Sequence, residues 1–304
     1  YNATDGDLEL SGGTFNAFDV STAVYSQNFS VSAQEVSPSE ISFNNDGTKM
    51  FILGYSGDDV NEYILSTAFD ISTASFVDSF SVAAQEAIPK GMSFNTDGTK
   101  MFIVGGSANV VYEYTLSTGF DVSTASYSSN SFSVASQETD PTGITFNNDG
   151  TKMFIIGTSG DDVNEYTLSS GFNISTASYS QNFSVAAQET SPRGLVFNLD
   201  GTKMFIIGTS GQDVNEYTLS TGFDISTSTY SKNFSISAQE TDPQGLAFNS
   251  DGTKMFIVGA SGDDVNEYNV GTTAIPTGYQ PVHTTASIDS TYWTDINSMT
   301  ADQN

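Results

Sequence analysis

The chain has 304 residues, 36 of them acidic against 8 Lys and Arg, for a formal net charge of −28, and it contains no cysteine. A surface this negative repels phosphate backbones and anionic headgroups, so nucleic acid and membrane surfaces are not expected partners. Without cysteine there is no disulfide framework or thiol chemistry, and without a run of 18 apolar residues no helical span is expected.

Self-repulsion of so many carboxylates is tolerable in a salty medium, where the Debye length falls to roughly 3 Å at 1 M; a marine setting fits. Twenty-two Phe and 14 Tyr among many Ser, Thr, Asn, Asp and Gly favour strands and turns over helices. The chain opens at Tyr1 rather than Met, which reads as a processed product or a piece of something longer.

In chain order, residues 1–17 carry no repeat and read as an N-terminal extension. From there two elements recur five times: F-D/N-I/V-S at Phe18, Phe69, Phe120, Phe172 and Phe223, and F-N-x-D-G-T-K-M-F at Phe43, Phe94, Phe146, Phe197 and Phe248. The period is 51 residues, with one unit of 52 between Phe120 and Phe172. Such a period, made of short strands, is that of a propeller blade or a solenoid coil.

The first strand met, Tyr25 to Val31 (YSQNFSV), is of a type D that alternates with period two. In its fourth-unit copy Tyr179, Gln181, Phe183 and Val185 fall on one face. Strand A follows (GLVFN, Gly194 to Asn198), then the turn NLDGTK, whose Asp-Gly pair supplies positive φ. Strand B (KMFIIG) is continuously apolar, as for a strand buried on both faces, and strand C (VNEYTL) closes the unit. The 52-residue unit spaces Tyr127 and Phe132 by five rather than four, and a β-bulge within Ser128 to Ser131 is expected to absorb the extra residue. Residues 271–304, with Pro276, Pro281, His283 and Trp293, read as a linker or tail whose removal from residue 280 leaves the domain intact.

The units are offset in a way that only a ring explains. The chain begins with a lone D strand and ends its last unit after A, B and C, at Val270. Pairing Tyr25–Val31 with the last strand C, near Val265–Val270, completes the last blade and leaves no open edge. The reading is an all-β five-bladed β-propeller with four antiparallel strands per blade, closed by the N-terminal D strand. It spans 18–270 in units 18–68, 69–119, 120–171, 172–222 and 223–270.

The segment SPRGLVFNLDGTKMFIIGTSGQDVNEYTLS resembles the blades of YncE-like and NHL-like propellers, whose A–B hairpin carries P-x-G-hydrophobic-x-F-x-x-D-G. The resemblance covers 18–270 and implies the fold; it carries no ligand over, because those families commonly have six or seven blades. The FDISTASYSxNFSVAAQE units are also similar to repeats in structural proteins of marine phages and in bacterial surface proteins. The tail STYWTDINSMTADQN resembles linkers of such fibre-like proteins. That resemblance implies an extracellular or virion-surface location and partners among other subunits or domains of one assembly.

Most invariants have structural readings. Lys49, Lys100, Lys152, Lys203 and Lys254 are expected to pair with the Asp of their own hairpin, and the Pro before strand A to fix a turn. Glu35, Glu86, Glu138, Glu189 and Glu240, from the AQE motif, either bond backbone N–H groups or form a ring of ligands for cations or sugar hydroxyls. The SGDDVNEY loops offer Ca²⁺ the carboxylates of Asp58, Asp59, Asp161, Asp162, Asp213, Asp263 and Asp264, though they lack the full EF-hand spacing. Ala108, Asn109 and Val110 break that loop in the second unit, so a ligand using it would occupy four blades. No other cofactor is expected.

Where the units disagree, the residues read either as a binding rim or as drift at a solvent-exposed site. The residue after the Pro is Ser39, Lys90, Thr142, Arg193 and Gln244 in turn, and the next is Gly in four units but Glu40 in the first. These residues open the innermost strands and should ring the mouth of the central channel, on an acidic face that favours neutral polar or cationic ligands. Near-identical units do not readily supply a distinct acid and base; the unmatched acids are Glu40 and Asp78. The expected function is therefore a non-enzymatic structural or adhesive module of a phage virion or cell-surface protein. A lectin-like binder with a shallow sugar site per blade is the alternative, and a glycoside hydrolase comes last.

Overall fold

A computed structural model describes residues 17–271; the extension and tail expected at the two ends lie outside the described residues, save for their border positions. The first strand is β1 (Val24–Ser30). Blade one follows as β2 (Pro38–Phe43), β3 (Lys49–Gly54), β4 (Asp59–Leu65) and β5 (Ala74–Ser81). Blade two is β6 (Pro89–Phe94), β7 (Lys100–Gly105), β8 (Val110–Leu116) and β9 (Ala125–Ser133). Blade three is β10 (Pro141–Phe146), β11 (Lys152–Gly157), β12 (Asp162–Leu168) and β13 (Ala177–Ser184). Blade four is β14 (Pro192–Phe197), β15 (Lys203–Gly208), β16 (Asp213–Leu219) and β17 (Ser228–Ser235). Blade five is β18 (Pro243–Phe248), β19 (Lys254–Gly259) and β20 (Asp264–Asn269), completed by β1.

That completion is the closure expected from the offset. β1 runs antiparallel to β20 from Val24 opposite Asn269 to Ser30 opposite Asp264. Each repeat therefore straddles two blades: its D strand joins the sheet of the preceding unit. The ring is held by sequence-distant hydrogen bonds as well as by packing.

The second strand of each blade is buried on both faces, as its continuous apolar run requires, and its Phe enters the core shared with the next blade. Phe51 of blade one lies 4.7 Å, centroid to centroid, from Phe94 of blade two, and the same pair recurs around the ring. Before each D strand a one-turn 3-10 segment such as Ile71–Thr73 is led by a Phe at positive φ, for instance Phe69 at 54°. Gly47, at φ 71°, lies under that ring: a Cβ there would stand 2.2 Å from Phe69 Cδ2. This turn glycine is needed for its backbone and for its lack of a side chain.

Strand D departs from the simple alternation. In blade two, whose D strand β9 comes from the third sequence unit, the ladder steps from Glu113–Asn130 to Tyr114–Tyr127, leaving Ser128 and Ser129 unmatched, with Ser129 at φ 67°. The bulge lies where the longer spacing placed it. The other four D strands are not regular, however: each has a shift at the same step, as between Tyr25 and Gln27 or between Glu165 and Tyr166. Because Tyr179 pairs with Tyr166 while Gln181 pairs with the adjacent Glu165, the bulge turns Tyr179 away from the face of Gln181 and Phe183.

The hairpin lysines also correct the expectation. The Asp of each turn, such as Asp46, accepts from the N–H and hydroxyl of Thr48 in its own turn. Lys49 instead reaches Glu62 of β4 at 2.6 Å and donates to the carbonyl of Phe120 in blade two. Glu62 in turn accepts from the Val122 N–H at 2.9 Å. Lys49 faces Ile64 in the ladder, so Glu62 is its diagonal same-face neighbour. The lysine contacts repeat from blade to blade, and Lys203 closes them on Phe18 and Lys254 on Phe69.

Candidate functional site

The innermost strands β2, β6, β10, β14 and β18 approach so closely that their third positions admit almost no side chain. A Cβ on Gly91 would lie 2.7 Å from the Gly143 Cα, and one on Gly143 2.9 Å from the Arg193 carbonyl. One carboxyl occupies this throat. Glu40, 6% exposed, turns Oε1 onto its neighbour's Ile41 N–H at 2.9 Å and lies against Gly245. Burial pushes it up to about 8, against the backbone N–H groups of Ile41 and Leu246 that favour the anion. Glu40 is thus a neutral acid at pH 7 where the four other blades have nothing.

The sign of its effect on stability follows. The unfolded carboxyl releases its proton near its ordinary value of 4.5 while the folded one keeps it to about 8, so stability falls as pH rises between them. Glu40→Gln is expected to remove that slope and to be more stable than the parent at pH 8, by on the order of a few kcal/mol, and so to melt higher. Melting curves from pH 4.5 to 8.5 check it; parallel profiles for the two proteins would contradict it.

On one side of the throat opens a cavity of about 240 Å³ at the channel mouth, lined by all five variable residues, Ser39, Lys90, Thr142, Arg193 and Gln244. Two of them are committed to the ring. The Ser39 hydroxyl donates to the carbonyls of Leu53 and Pro89, and the Thr142 hydroxyl to those of Ile156 and Pro192, in each case bridging to the next blade. The three long side chains remain half-buried in the cavity. Lys90 pairs with Asp140, which also accepts from Thr158, and Gln244 donates to Asp242 at 2.6 Å. Burial raises the Asp140 carboxyl, but hydrogen bonds from Lys90 and Thr158 and the charges of Lys90 and Arg193 outweigh it and hold it below the usual range.

On the other side a cavity of about 470 Å³ is lined mostly by equivalent residues of successive blades, Phe43, Phe146, Phe197 and Phe248 among them. Its departures from symmetry are Glu40, the level of Ser42, Ser93, Thr145, Val196 and Ala247, and Leu199 and Ser250 beside Asn45 and Asn148.

The repeated acids have inward-facing roles. Glu35, Glu86, Glu138, Glu189 and Glu240 are at most 1% exposed and accept from backbone N–H groups, Glu35 from Ser37, Ser56 and Gly57. The Gln before each accepts from a buried Tyr hydroxyl, as Gln34 does from Tyr63 at 3.2 Å. Of the expected ring, the backbone-bonding alternative is what the geometry displays. In the SGDDVNEY loops the second Asp accepts from strand amides: Asp59 from Asn61, Asp162 from Asn164 and Asn182, Asp213 from Asn215 and Asn233, Asp264 from Asn266 and Asn28. Burial pushes the Asp59, Asp213 and Asp264 carboxyls up. Asp58, Asp161 and Asp263 take left-handed turn positions, with φ of 47–49°. Among the described residues no cluster of three or more His or acidic side chains has metal-site geometry.

The reading of the residues overlooked Glu62, Glu113, Glu165, Glu216 and Glu267, each at most 4% exposed. The signal was present: a carboxylate in the middle of a buried strand of every unit requires an equally invariant cation, and the hairpin Lys is the one available.

No protein-family model matches the chain, and no curated protein matches it. Among solved structures it is similar to a protein from Lactobacillus plantarum (10% identity, TM-score 0.49, 81% of this chain and 70% of that one). It is also similar to the Cps50 (Swd1) β-propeller domain of Myceliophteria thermophila (7% identity, TM-score 0.47, 82% and 99%). A luciferin-regenerating enzyme is a third (12% identity, TM-score 0.49, 84% and 96%). At such identities no activity carries over to this chain.

Proposed function

We propose that the propeller is a non-enzymatic binding module, an adhesive or structural part of a virion or cell-surface assembly, and that it engages its target through the single channel mouth. One observation carries the reading: the repeated Lys and Glu are committed to the ring, while the residues after the Pro, which differ from blade to blade, converge on one cavity. Five-fold scaffolding with a one-fold site is the arrangement of a recognition surface on a rigid frame. The resemblance of the repeats to phage and bacterial surface proteins supports the location and the partners.

Surface glycans are the favoured target. A single central site replaces the alternative of one shallow site per blade, because the repeated Glu of the AQE motif and the second Asp of each loop, which such sites would use, already accept from the protein itself. Hydrolysis has less support. The raised acid, Glu40, lines the cavity on the far side of the throat from Asp140 and Asp242, so the mouth does not pair an acid with a base. An array of bacterial and algal glycans probed with the intact chain tests this. Retention of particular glycans without release of reducing ends is expected; release of reducing ends, or no retention of any glycan, would contradict it.

A further inference from the structure

Among the described residues every lysine has a carboxylate partner: Lys49, Lys100, Lys152, Lys203 and Lys254 in the inter-blade clasps, Lys90 with Asp140, and Lys232 with Asp19. The single arginine makes no such direct pair: its charge helps hold the Asp140 carboxyl down, but Lys90 takes the contact. Arg193 is half-buried at the mouth, and its Nε–H is shut off from solvent without an acceptor. In so acidic a chain, an arginine without a direct ion pair among the described residues stands out. A buried donor without an acceptor is costly, and a guanidinium presents parallel N–H groups that match a carboxylate in bidentate fashion.

The surroundings of Arg193 narrow the ligand. Tyr55 lines the same cavity and is 49% exposed; the equivalent residues of the other blades are Gly106, Thr158, Thr209 and Ala260, so this ring too is unique to one blade. Its flat face suits the C–H face of a pyranose, while the Gln244 amide and the Asp242 carboxylate can serve hydroxyl groups. At about 240 Å³ the cavity falls below the roughly 300–1,000 Å³ of sites for drug-sized ligands, so it holds one sugar unit rather than a chain.

We propose that the channel mouth binds a carboxylated sugar, a uronic or sialic acid unit, with its carboxylate on the Arg193 guanidinium and its ring against Tyr55. This rests on the mouth being the binding site, and it deepens that reading by naming the ligand. The acidic face as a whole favours neutral or cationic ligands, but charges more than about 8 Å away are largely screened at physiological salt, the nearby Asp140 and Asp242 are engaged by Lys90 and Gln244, and Arg193 would touch the carboxylate.

Calorimetric titration of the intact chain with D-glucuronate, D-galacturonate and N-acetylneuraminate, beside D-glucose, N-acetylglucosamine and acetate, tests the proposal. At least one carboxylated sugar is expected to bind saturably in the millimolar range, and more tightly than acetate. Arg193→Gln is expected to weaken it at least 10-fold, about 1.4 kcal/mol, with Arg193→Lys in between. Both variants should melt close to the parent, since among the described residues Arg193 makes no ion pair and Lys90 keeps the direct contact with Asp140. The proposal is overturned if no carboxylated sugar binds, if Arg193→Gln binds as the parent does, or if acetate binds as well as the sugars. A neutral sugar held equally by parent and Arg193→Gln overturns the carboxylate assignment and leaves the binding module standing. No binding here and none on the glycan array removes both.

Discussion

A chain that begins at Ala33, lacking residues 1–32, is expected not to fold as a ring. The loss takes β1 from its place beside β20, about 240 residues away, and leaves blade five with three strands and an open edge. Val20 and Val31, both fully buried, go with it, as do Phe18 and Phe29, packed against the cores on either side of blade five. At about 1.5–3 kcal/mol for each large apolar side chain, that loss rivals the 5–15 kcal/mol by which a typical domain is stable. The polar closure is lost as well: Lys203 loses the Phe18 carbonyl, Glu267 the Gln27 amide, and Asp264 the Asn28 amide. Circular dichroism and a melting scan are expected to show no cooperative transition; a transition within a few degrees of the parent's would mean that the ring closes without β1.

Glu62→Ala is the point substitution expected to cost most among the clasps. It removes one carboxylate that serves both the Lys49 ammonium and the Val122 N–H of the next blade. Breaking a buried pair by deleting one partner costs about 3–5 kcal/mol. The lower end applies here, because Lys49 is 26% exposed and can be rehydrated in part, whereas the Val122 N–H is buried without another acceptor. About 3 kcal/mol corresponds to a melting shift on the order of 10 °C for a domain of this size. Glu62→Gln keeps an acceptor for the amide and is expected to fall between. A shift below about 1 °C for Glu62→Ala would mean that the clasp adds nothing to the packing between blades.

Much of this was legible because repetition averages out ambiguity. One copy of KMFIIG cannot be told from a buried helix segment; five copies at a fixed spacing, each behind an Asp-Gly turn, can. Closure was legible from the offset between the first and last units, a matter of counting strands. The convergence of Ser39, Lys90, Thr142, Arg193 and Gln244 was legible because position within a blade fixes distance from the axis. What the repeat hides is anything that links one unit to another. The Lys49–Glu62 pair lies within a blade, but its purpose, holding Phe120 and Val122, lies in the next. The bulge present in every D strand left no mark, since a feature shared by all copies alters no spacing; only the longer third copy revealed it. The crowding of the throat could not be read either, because four glycines suggest a turn until their backbones are seen to touch.

The claim that function resides in the one mouth rather than in the five repeats is tested most directly by binding stoichiometry. Native mass spectrometry of the intact chain, with the carboxylated sugar or array glycan that binds it best, counts the ligands held at saturation. One ligand per chain is expected, lost in Arg193→Gln, because the mouth with its arginine and Tyr55 occurs once per ring. Four or five equivalent ligands per chain would place binding in the repeated loops and contradict the account.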